Sequence, residues 1–367
     1  MRQENINGFQ LFSVMFLFEL GSAILVGLAA DAHQDAWMSV ILAAGLGCIL
    51  YWVYAKLSGL YPSKTLIQYL QSILGTFLGW LIGLAYVVYF IYVASRVLRD
   101  FEELLVITAY RSSTLLTIGI IMMICVMYAA HQGAEVFFRI AEICFFVIAF
   151  MLLSLVILEI ASDILKLHHF LPVLEHGWAP VFKSVFPSTL TFPFGEMIAF
   201  TMLLPFLNKQ ERAKKVGMAA IGSSGLILTV FTLTNIAVLG ATVIERSAFP
   251  FLTAGSYIDI SHFLQRLDIV VIICMVILGF VKIAVYFYCA LIGAAQLFNI
   301  RERRKMIYPT GILVLIGSLV IAPTYIHHIH EGLKVVPYVL HLPLQIAVPV
   351  LLLLIAWIRK KAAKAAS

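Results

Sequence analysis

Long apolar stretches follow one another along almost the whole chain, and they restrict the possible fold more than any other feature of the sequence. A transmembrane helix needs about 20 consecutive, predominantly apolar residues. Ten stretches meet that need: Phe9–Ala30, Trp37–Leu57, Gly75–Val106, Thr114–Ala130, Ile140–Ala161, Val181–Leu207, Val216–Val243, Leu267–Phe298, Ile307–Ile326 and Pro337–Ile358. The sequence therefore predicts an all-α integral membrane protein of about ten transmembrane helices, with residues 1–367 in a single transmembrane domain.

The distribution of basic residues predicts the orientation of these helices. Of the 25 Lys and Arg residues, 16 fall in one set of alternating segments, eight in the other, and Lys282 inside the eighth stretch. Cytoplasmic segments carry the excess of Lys and Arg, so both termini are predicted to be cytoplasmic. The net charge of +6 follows from the same bias, and we expect no nucleic-acid partner.

The sequence contains no motif for nucleotide binding or covalent catalysis, since G-x-x-x-x-G-K-[ST], G-x-G-x-x-G and G-x-S-x-G are all absent. The five cysteines lie in apolar stretches without CxxC spacing, which predicts neither a disulfide framework nor a metal site. His327, His328 and His330 fall in a predicted outer loop and lack carboxylates at a fitting spacing. We therefore expect no enzyme activity, no cofactor and no bound metal.

A short match relates the two halves of the chain. The segment FELGSAI from Phe18 in the first span and the segment FPFGEMI from Phe192 in the sixth span both fit F-x-x-G-x-x-I. With five helices per half, the second half must start on the opposite side of the membrane, as in inverted-repeat transporters. We predict a five-plus-five inverted repeat, with repeat one at about 9–161 and repeat two at about 181–358.

The matched segments also contain residues that interrupt helices. Pro187 and Pro193 fall inside the sixth stretch, and Gly21 with Ser22 permits a similar break in the first. Proline removes a backbone donor, and freed backbone groups at bilayer depth are tolerated only where they are buried in protein or line a cavity. Broken helices 1 and 6 therefore predict a binding cavity, with kinked packing helices as the alternative.

Three charged residues lie deep in predicted spans: Glu19, Glu196 and Lys282. Such residues usually face the bundle interior and pair with one another. Lys282 pairs with Glu19 or with Glu196, or its ammonium occupies the place of a coupling cation; a purely structural ion pair is the alternative. A mixed cluster near the outer end of the third span is expected to form a solvated face, with an entrance lining as the alternative: Arg96, Arg99, Asp100, Glu102 and Glu103.

Four segments resemble the endospore germination permease family, the B subunits of nutrient germinant receptors. They are NGFQ from Asn7, FPFGE from Phe192, LLPF from Leu203 and GFVKI from Gly279. The resemblance implies the fold of the amino acid–polyamine–organocation transporter superfamily and a location in the spore inner membrane. It also implies two partners, a membrane-embedded A subunit and a lipid-anchored C subunit.

The function that the resemblance implies is nutrient sensing, with a small amino acid or sugar as the ligand that triggers germination. A proton- or cation-coupled secondary amino acid transporter is the alternative. Carried onto this chain, the ligand-binding residues would be Gly21, Ser22, Tyr89, Val93, Phe194, Gly195, Glu196 and Tyr286, with Lys282 and Glu19 as intramembrane charges or cation mimics. Glu19 stands where relatives commonly have an uncharged residue. Three roles for its carboxylate stay open: binding a cationic ligand, binding a hydroxyl-rich ligand, or neutralising Lys282.

Overall fold

The structure is a computed structural model that describes residues 5–260, 264–265 and 267–365. Its helices are α1 (Gly8–Leu20), α2 (Ala36–Leu60), α3 (Leu66–Leu74), α4 (Thr76–Thr108), α5 (Leu115–Gln132), α6 (Ala134–Ala161), α7 (Trp178–Ser184), α8 (Ala213–Leu239), α9 (Ala241–Arg246), α10 (Pro250–Ser256), α11 (Asp268–Leu297), α12 (Ile307–Val320), α13 (Tyr325–His330) and α14 (Val348–Ala365). Two short antiparallel strands, β1 (Asp259–Ile260) and β2 (Leu264–Gln265), lie between α10 and α11.

Seven helical stretches of the described residues are long and apolar enough to cross a membrane, or eight if the bent pair of α12 and α13 counts as one crossing. The first and sixth predicted spans do not reach the required length because both are interrupted; α1, for example, has 13 residues. The predicted all-α membrane fold with breaks in these two spans is therefore confirmed, and the breaks account for the difference from ten. The division into repeats at 9–161 and 181–358 stays a prediction.

The first span ends as an α-helix ten residues earlier than its predicted end at Ala30. Gly21 closes α1 by donating its backbone N–H to the carbonyl of Leu17 at 2.9 Å, and a single 3-10 turn follows over Ser22–Ile24. Ala29 then adopts a left-handed conformation with φ 55°, which turns the chain into a second 3-10 segment, Ala30–Asp35, before α2 begins. The first span is thus a helix with a break at Gly21.

The sixth span is broken at its prolines. Phe186 is extended, with φ −121° and ψ 127°, and the chain resumes beyond Pro193 as the 3-10 segment Phe194–Met202. Neighbouring hydroxyl groups donate to backbone carbonyl oxygens of the same segment: Thr189 Oγ1 donates to Ser184 at 2.8 Å, and Thr191 Oγ1 donates to Pro187 at 2.9 Å. These bonds satisfy hydroxyl groups that water does not reach at this depth.

Two further elements differ from the sequence prediction. The ninth span is shorter than Ile307–Ile326, since α12 ends at Val320 and the helical segment that begins with α13, Tyr325–Val335, lies at 107° to it. Pro323 explains this end, because the residue before a proline avoids the helical conformation. Helix α3 is missing from the prediction, although its buried residues Leu66, Ile67, Leu70 and Ile73 follow helical spacing.

Segments predicted to share a side of the membrane contact one another. On the predicted outer side, Gln34 Nε2 donates to the carbonyl of Pro172 at 2.8 Å, and Lys334 pairs with Asp31. On the predicted cytoplasmic side, the backbone of Ile6 pairs with the segment Phe206–Asn208 through two hydrogen bonds of 3.0 Å. The predicted alternation of crossings therefore agrees with the observed contacts.

Helix α8 provides a matched pair of glycines that tests this packing. A Cβ on Gly217 would overlap the ring of Tyr51 on α2, whereas a Cβ on exposed Gly222 meets nothing within 4 Å. We expect Gly217→Ala to lower the free energy of unfolding by about 1–3 kcal/mol through overpacking. Gly222→Ala should leave it unchanged or raise it by about 0.5–1 kcal/mol, because alanine favours the helix. Thermal unfolding of both variants in the same detergent measures the difference, and equal stabilities would contradict the packing.

Candidate functional site

The breaks in the first and sixth spans lie against the same helix, α11. Phe18, in the last turn of α1, packs edge-on against Phe200, with 5.1 Å between ring centroids. The Phe18 ring also lies 5.1 Å from the ring of Tyr286 on α11. Three aromatic rings thus bring both interrupted spans and α11 together at one junction.

Lys282 of α11 extends its ammonium group into this junction. Its Nζ lies 2.5 Å from Glu196 Oε2, and the two side chains are 0% and 2% exposed. The same Nζ lies 5.1 Å from the ring centroid of Phe18 and 4.8 Å from that of Phe192, which adds cation–π attraction. Glu196 is therefore the carboxylate that pairs with Lys282.

The two glycines of the F-x-x-G-x-x-I match are positions of close approach. A Cβ on Gly21 would overlap the Lys282 side chain and the carbonyl oxygen of Phe18. A Cβ on Gly195 would overlap the side-chain oxygen of Gln345. At both breaks, glycine is required because another side chain occupies the space that a Cβ would need.

Glu19 lies two residues before the first break and is fully buried. Neither of its carboxylate oxygens has a hydrogen-bond partner among the described residues. Lys282 and Glu196 are the charged side chains that act on it electrostatically. Glu19 thus belongs to the same charge cluster without being the paired carboxylate.

A cavity of about 50 Å³ lies beside this ion pair on the predicted outer side. Three of the residues predicted to bind ligand line it: Ser22, Val93 and Glu196. The Ser22 hydroxyl is buried and has no hydrogen-bond partner among the described residues, so it can bind a ligand. The remaining lining residues are Val26, Arg96, Val97, Asp100, Phe192, His328, Ile329, Gly332, Leu333, Val336 and His341.

The other predicted residues lie behind this lining or away from it. The hydroxyl of Tyr89 accepts a hydrogen bond of 2.8 Å from Gln345 Nε2, and its ring packs edge-on against His341. Tyr286 supports Phe18 at the junction. Phe194 is directed elsewhere, since it packs between glycines of α2 and α8 and does not line the cavity.

The solvated face predicted on α4 is wrong, because Arg96, Arg99 and Asp100 are all buried. His328 Nε2 lies 2.9 Å from Asp100 Oδ1, and Arg96 donates to the His328 backbone carbonyl. These contacts hold α13 against α4 at the outer edge of the cavity. Spacing is the signal that finds such a group, since positions 96, 99, 100 and 103 lie on one helical face.

Two polar residues of the tenth span also belong to the site, although the sequence analysis did not select them. His341 lines the cavity, and Gln345 binds Tyr89. They are four residues apart within an otherwise apolar stretch, a spacing that places them on one face of a helix. Across the described residues, no group of three or more His, Cys, Asp or Glu side chains could hold a metal ion.

Removing the Lys282 ammonium leaves buried carboxylates without a counter-charge. We expect Lys282→Met to lower the free energy of unfolding by about 3–5 kcal/mol, as for other buried pairs that lose one partner. Glu196→Gln should cost less, because Glu19 remains as a counter-charge for Lys282. Lys305→Met is the control, since this surface lysine is 71% exposed and its pairing with Glu302 is worth about 0–1 kcal/mol. Chemical unfolding in detergent measures all three, and equal losses for Lys282→Met and Lys305→Met would contradict a buried pair.

Known proteins resemble this chain in sequence. The profile of the spore germination protein family (Spore_permease) matches residues 5–326. Spore germination protein KB of Bacillus subtilis (strain 168) is 37% identical over 361 residues, which cover 98% of this chain and 97% of that protein. Spore germination protein YndE of the same organism is 26% identical over 336 residues, or 90% of this chain and 89% of that protein.

Solved structures share the fold. A Na⁺-coupled sialic acid symporter in a substrate-bound, outward-open state matches with a TM-score of 0.68 at 10% identity, covering 94% of this chain and 78% of that one. The nucleobase-cation-symport-1 family transporter MHP1, in a closed conformation, matches with a TM-score of 0.61 at 13% identity, covering 87% and 72%. The architecture is therefore that of secondary transporters, and the chain itself belongs to the spore germination protein family.

Proposed function

We propose that this chain is the nutrient-sensing subunit of a spore germinant receptor and that it binds a small amino acid or sugar in the cavity beside Lys282. The observation that carries the proposal is the position of that cavity. In a chain of the spore germination protein family, it lies where the broken first and sixth spans meet, and Ser22, Val93 and Glu196 line it. Transporters of related architecture bind their substrates at such interrupted helices.

The size of the cavity suits a small ligand. Its volume of about 50 Å³ is far below the range of about 300–1,000 Å³ that is common for drug-sized ligands. A second cavity of about 60 Å³ lies further out, and Phe192 and Leu333 border both. These two side chains thus lie between the inner cavity and the outer one, on the path that we propose for ligand entry.

Sensing follows from the preference of a ligand for one conformation. A ligand shifts the populations of two states by its differential affinity for them. Several residues of segment 329–336 border the cavity, and α4 holds the preceding helix α13 through Asp100 and Arg96. A bound ligand therefore changes the position of α13 and segment 329–336. Other subunits of the receptor would detect that change.

The proposal extends to partners and location. We propose that the chain acts with a membrane-embedded A subunit and a lipid-anchored C subunit in the spore inner membrane, with both termini on the core side. The several relatives named as germination proteins support membership in such a complex. Co-purification of both subunits with a tagged form of this chain from spore membranes is the direct measurement.

Germination of spores that lack the gene tests the sensing role. We expect loss of the response to one nutrient set among single amino acids, sugars and mixtures with potassium, restored by the wild-type gene. Gly21→Ala should raise the nutrient concentration that gives half-maximal germination by about tenfold, equivalent to about 1.4 kcal/mol, because the added Cβ displaces Lys282. Gly45→Ala is the control, since its Cβ would meet nothing within 4 Å. Immunoblots of spore membranes establish equal amounts of each variant.

Normal responses of the deletion strain to every nutrient would contradict the sensing role and favour the alternative. That alternative is a proton- or cation-coupled secondary amino acid transporter, and the shared fold with two cation-coupled symporters favours it. Proteoliposomes distinguish the two functions. A transporter accumulates labelled nutrient when a gradient is applied, whereas a sensor binds the nutrient saturably without flux.

A further inference from the structure

The charge cluster at the junction contains more negative than positive groups. Glu19, Glu196 and Lys282 are each at most 1% exposed. With every group ionised, two carboxylates face one ammonium and leave a surplus charge of −1. An unpaired charge in an apolar interior is far too costly to persist, so such groups become neutral or acquire a counter-ion.

The ammonium group is not shared equally between the carboxylates. Lys282 Nζ lies 2.5 Å from Glu196, whereas the oxygens of Glu19 accept no hydrogen bond from any described residue. An ionised carboxylate needs donors, and a neutral carboxyl group tolerates their absence at lower cost. Glu19 is therefore the carboxyl group that has no partner for its negative charge and that must become neutral or acquire a counter-ion.

Other groups around α1 do not change this count. Cys48 and Tyr54 of α2 are within electrostatic reach of Glu19, and both are neutral as thiol and phenol. Further out, Arg96 lies 3.7 Å from Glu331, and Asp100 lies 2.9 Å from His328. Buried His341 lies near Arg96 and Lys282, and these two cations favour its neutral imidazole. The neighbouring Lys282 ammonium repels a metal cation at this position, and the described residues bring no three His, Cys, Asp or Glu side chains together to hold one.

We infer that Glu19 is a proton-binding site: at neutral pH its carboxyl group holds one proton, which keeps the cluster of Glu19, Glu196 and Lys282 neutral. The number of protonated carboxyl groups in the cluster equals the number of carboxylates minus the number of ammonium groups. A step that moves Lys282 away from both Glu196 and Glu19 then requires the uptake of one further proton. The inference depends on the geometry of the cluster and not on the proposed sensing role.

Infrared spectroscopy counts protonated carboxyl groups directly through their C=O stretching band. The full-length chain is purified into lipid nanodiscs, and difference spectra between variant and wild type are recorded at neutral pH. Other buried carboxyl groups contribute equally to both spectra and cancel. We expect Glu19→Gln to remove the band of one carboxyl group.

Substitutions of the other two members of the cluster change the number of carboxyl bands in opposite directions, and they test the charge balance without the Glu19→Gln variant. Glu196→Gln leaves one carboxylate and one ammonium, so it should also remove one band, because Glu19 becomes ionised beside Lys282. Lys282→Met leaves two carboxylates without an ammonium and should add one. Glu135→Gln is the control, since Glu135 is 40% exposed and pairs with Arg139 at 2.5 Å, and it should change nothing. A Glu19→Gln spectrum without band loss would overturn the proton site. Loss for Glu19→Gln with no change for both other variants would overturn the charge balance that links its proton to Lys282 and Glu196.

Discussion

Water is absent from the interior of the bilayer, so every polar group placed there must find its partner within the protein. The backbone breaks at Gly21 and Pro193 and the ammonium of Lys282 therefore all need polar partners inside the protein, and they meet at one junction. Lys282 contacts the first break at Gly21, pairs with Glu196 beyond the second break, and is carried by α11. One side chain thus connects both breaks to α11 beside the cavity, and the position of each depends on where that ammonium lies.

A set of polar side chains on α4 connects the cavity to its outer boundary. Arg99 binds Glu103 on its own helix at 2.9 Å and the carbonyl of Ser318 on α12, while Asp100 binds His328 on α13. Helix α4 therefore holds both arms of the bent α12–α13 pair, one at each side of Pro323. Interfaces of this kind usually have two discrete arrangements rather than a continuous range. The bend is consequently the element most suited to pass a change in the cavity to a partner subunit.

Hydropathy and helix-breaking residues predicted the fold well, because long apolar runs and prolines act through local physics. The crossings, the breaks at Gly21 and Pro193, and the burial of Lys282 all follow from short segments of sequence. The partner of Lys282 could not be predicted, since it depends on how α11 is rotated relative to two other spans. The buried state of Arg96 and Asp100 was missed for a similar reason: α13 covers them, and the turn at Pro323 that places α13 there was not predicted. Phe194 was selected from the family resemblance, and its side chain packs against Gly47 and Gly225, which sequence alone does not reveal.

The charge count gives sensing and transport a shared physical basis. Because the cluster is neutral only while Glu19 keeps its proton, a conformation that moves Lys282 away from both carboxyl groups differs from this one in the number of protons bound. A ligand that favours one of the two conformations then changes the affinity for protons, and protons change the affinity for the ligand by the same factor. A transporter would use that linkage to drive movement with a proton gradient. A receptor would use it to set the nutrient concentration at which the α12–α13 bend changes position. The same cluster therefore serves either function. The two functions differ in whether the path beyond Phe192 and Leu333 opens to both sides of the membrane.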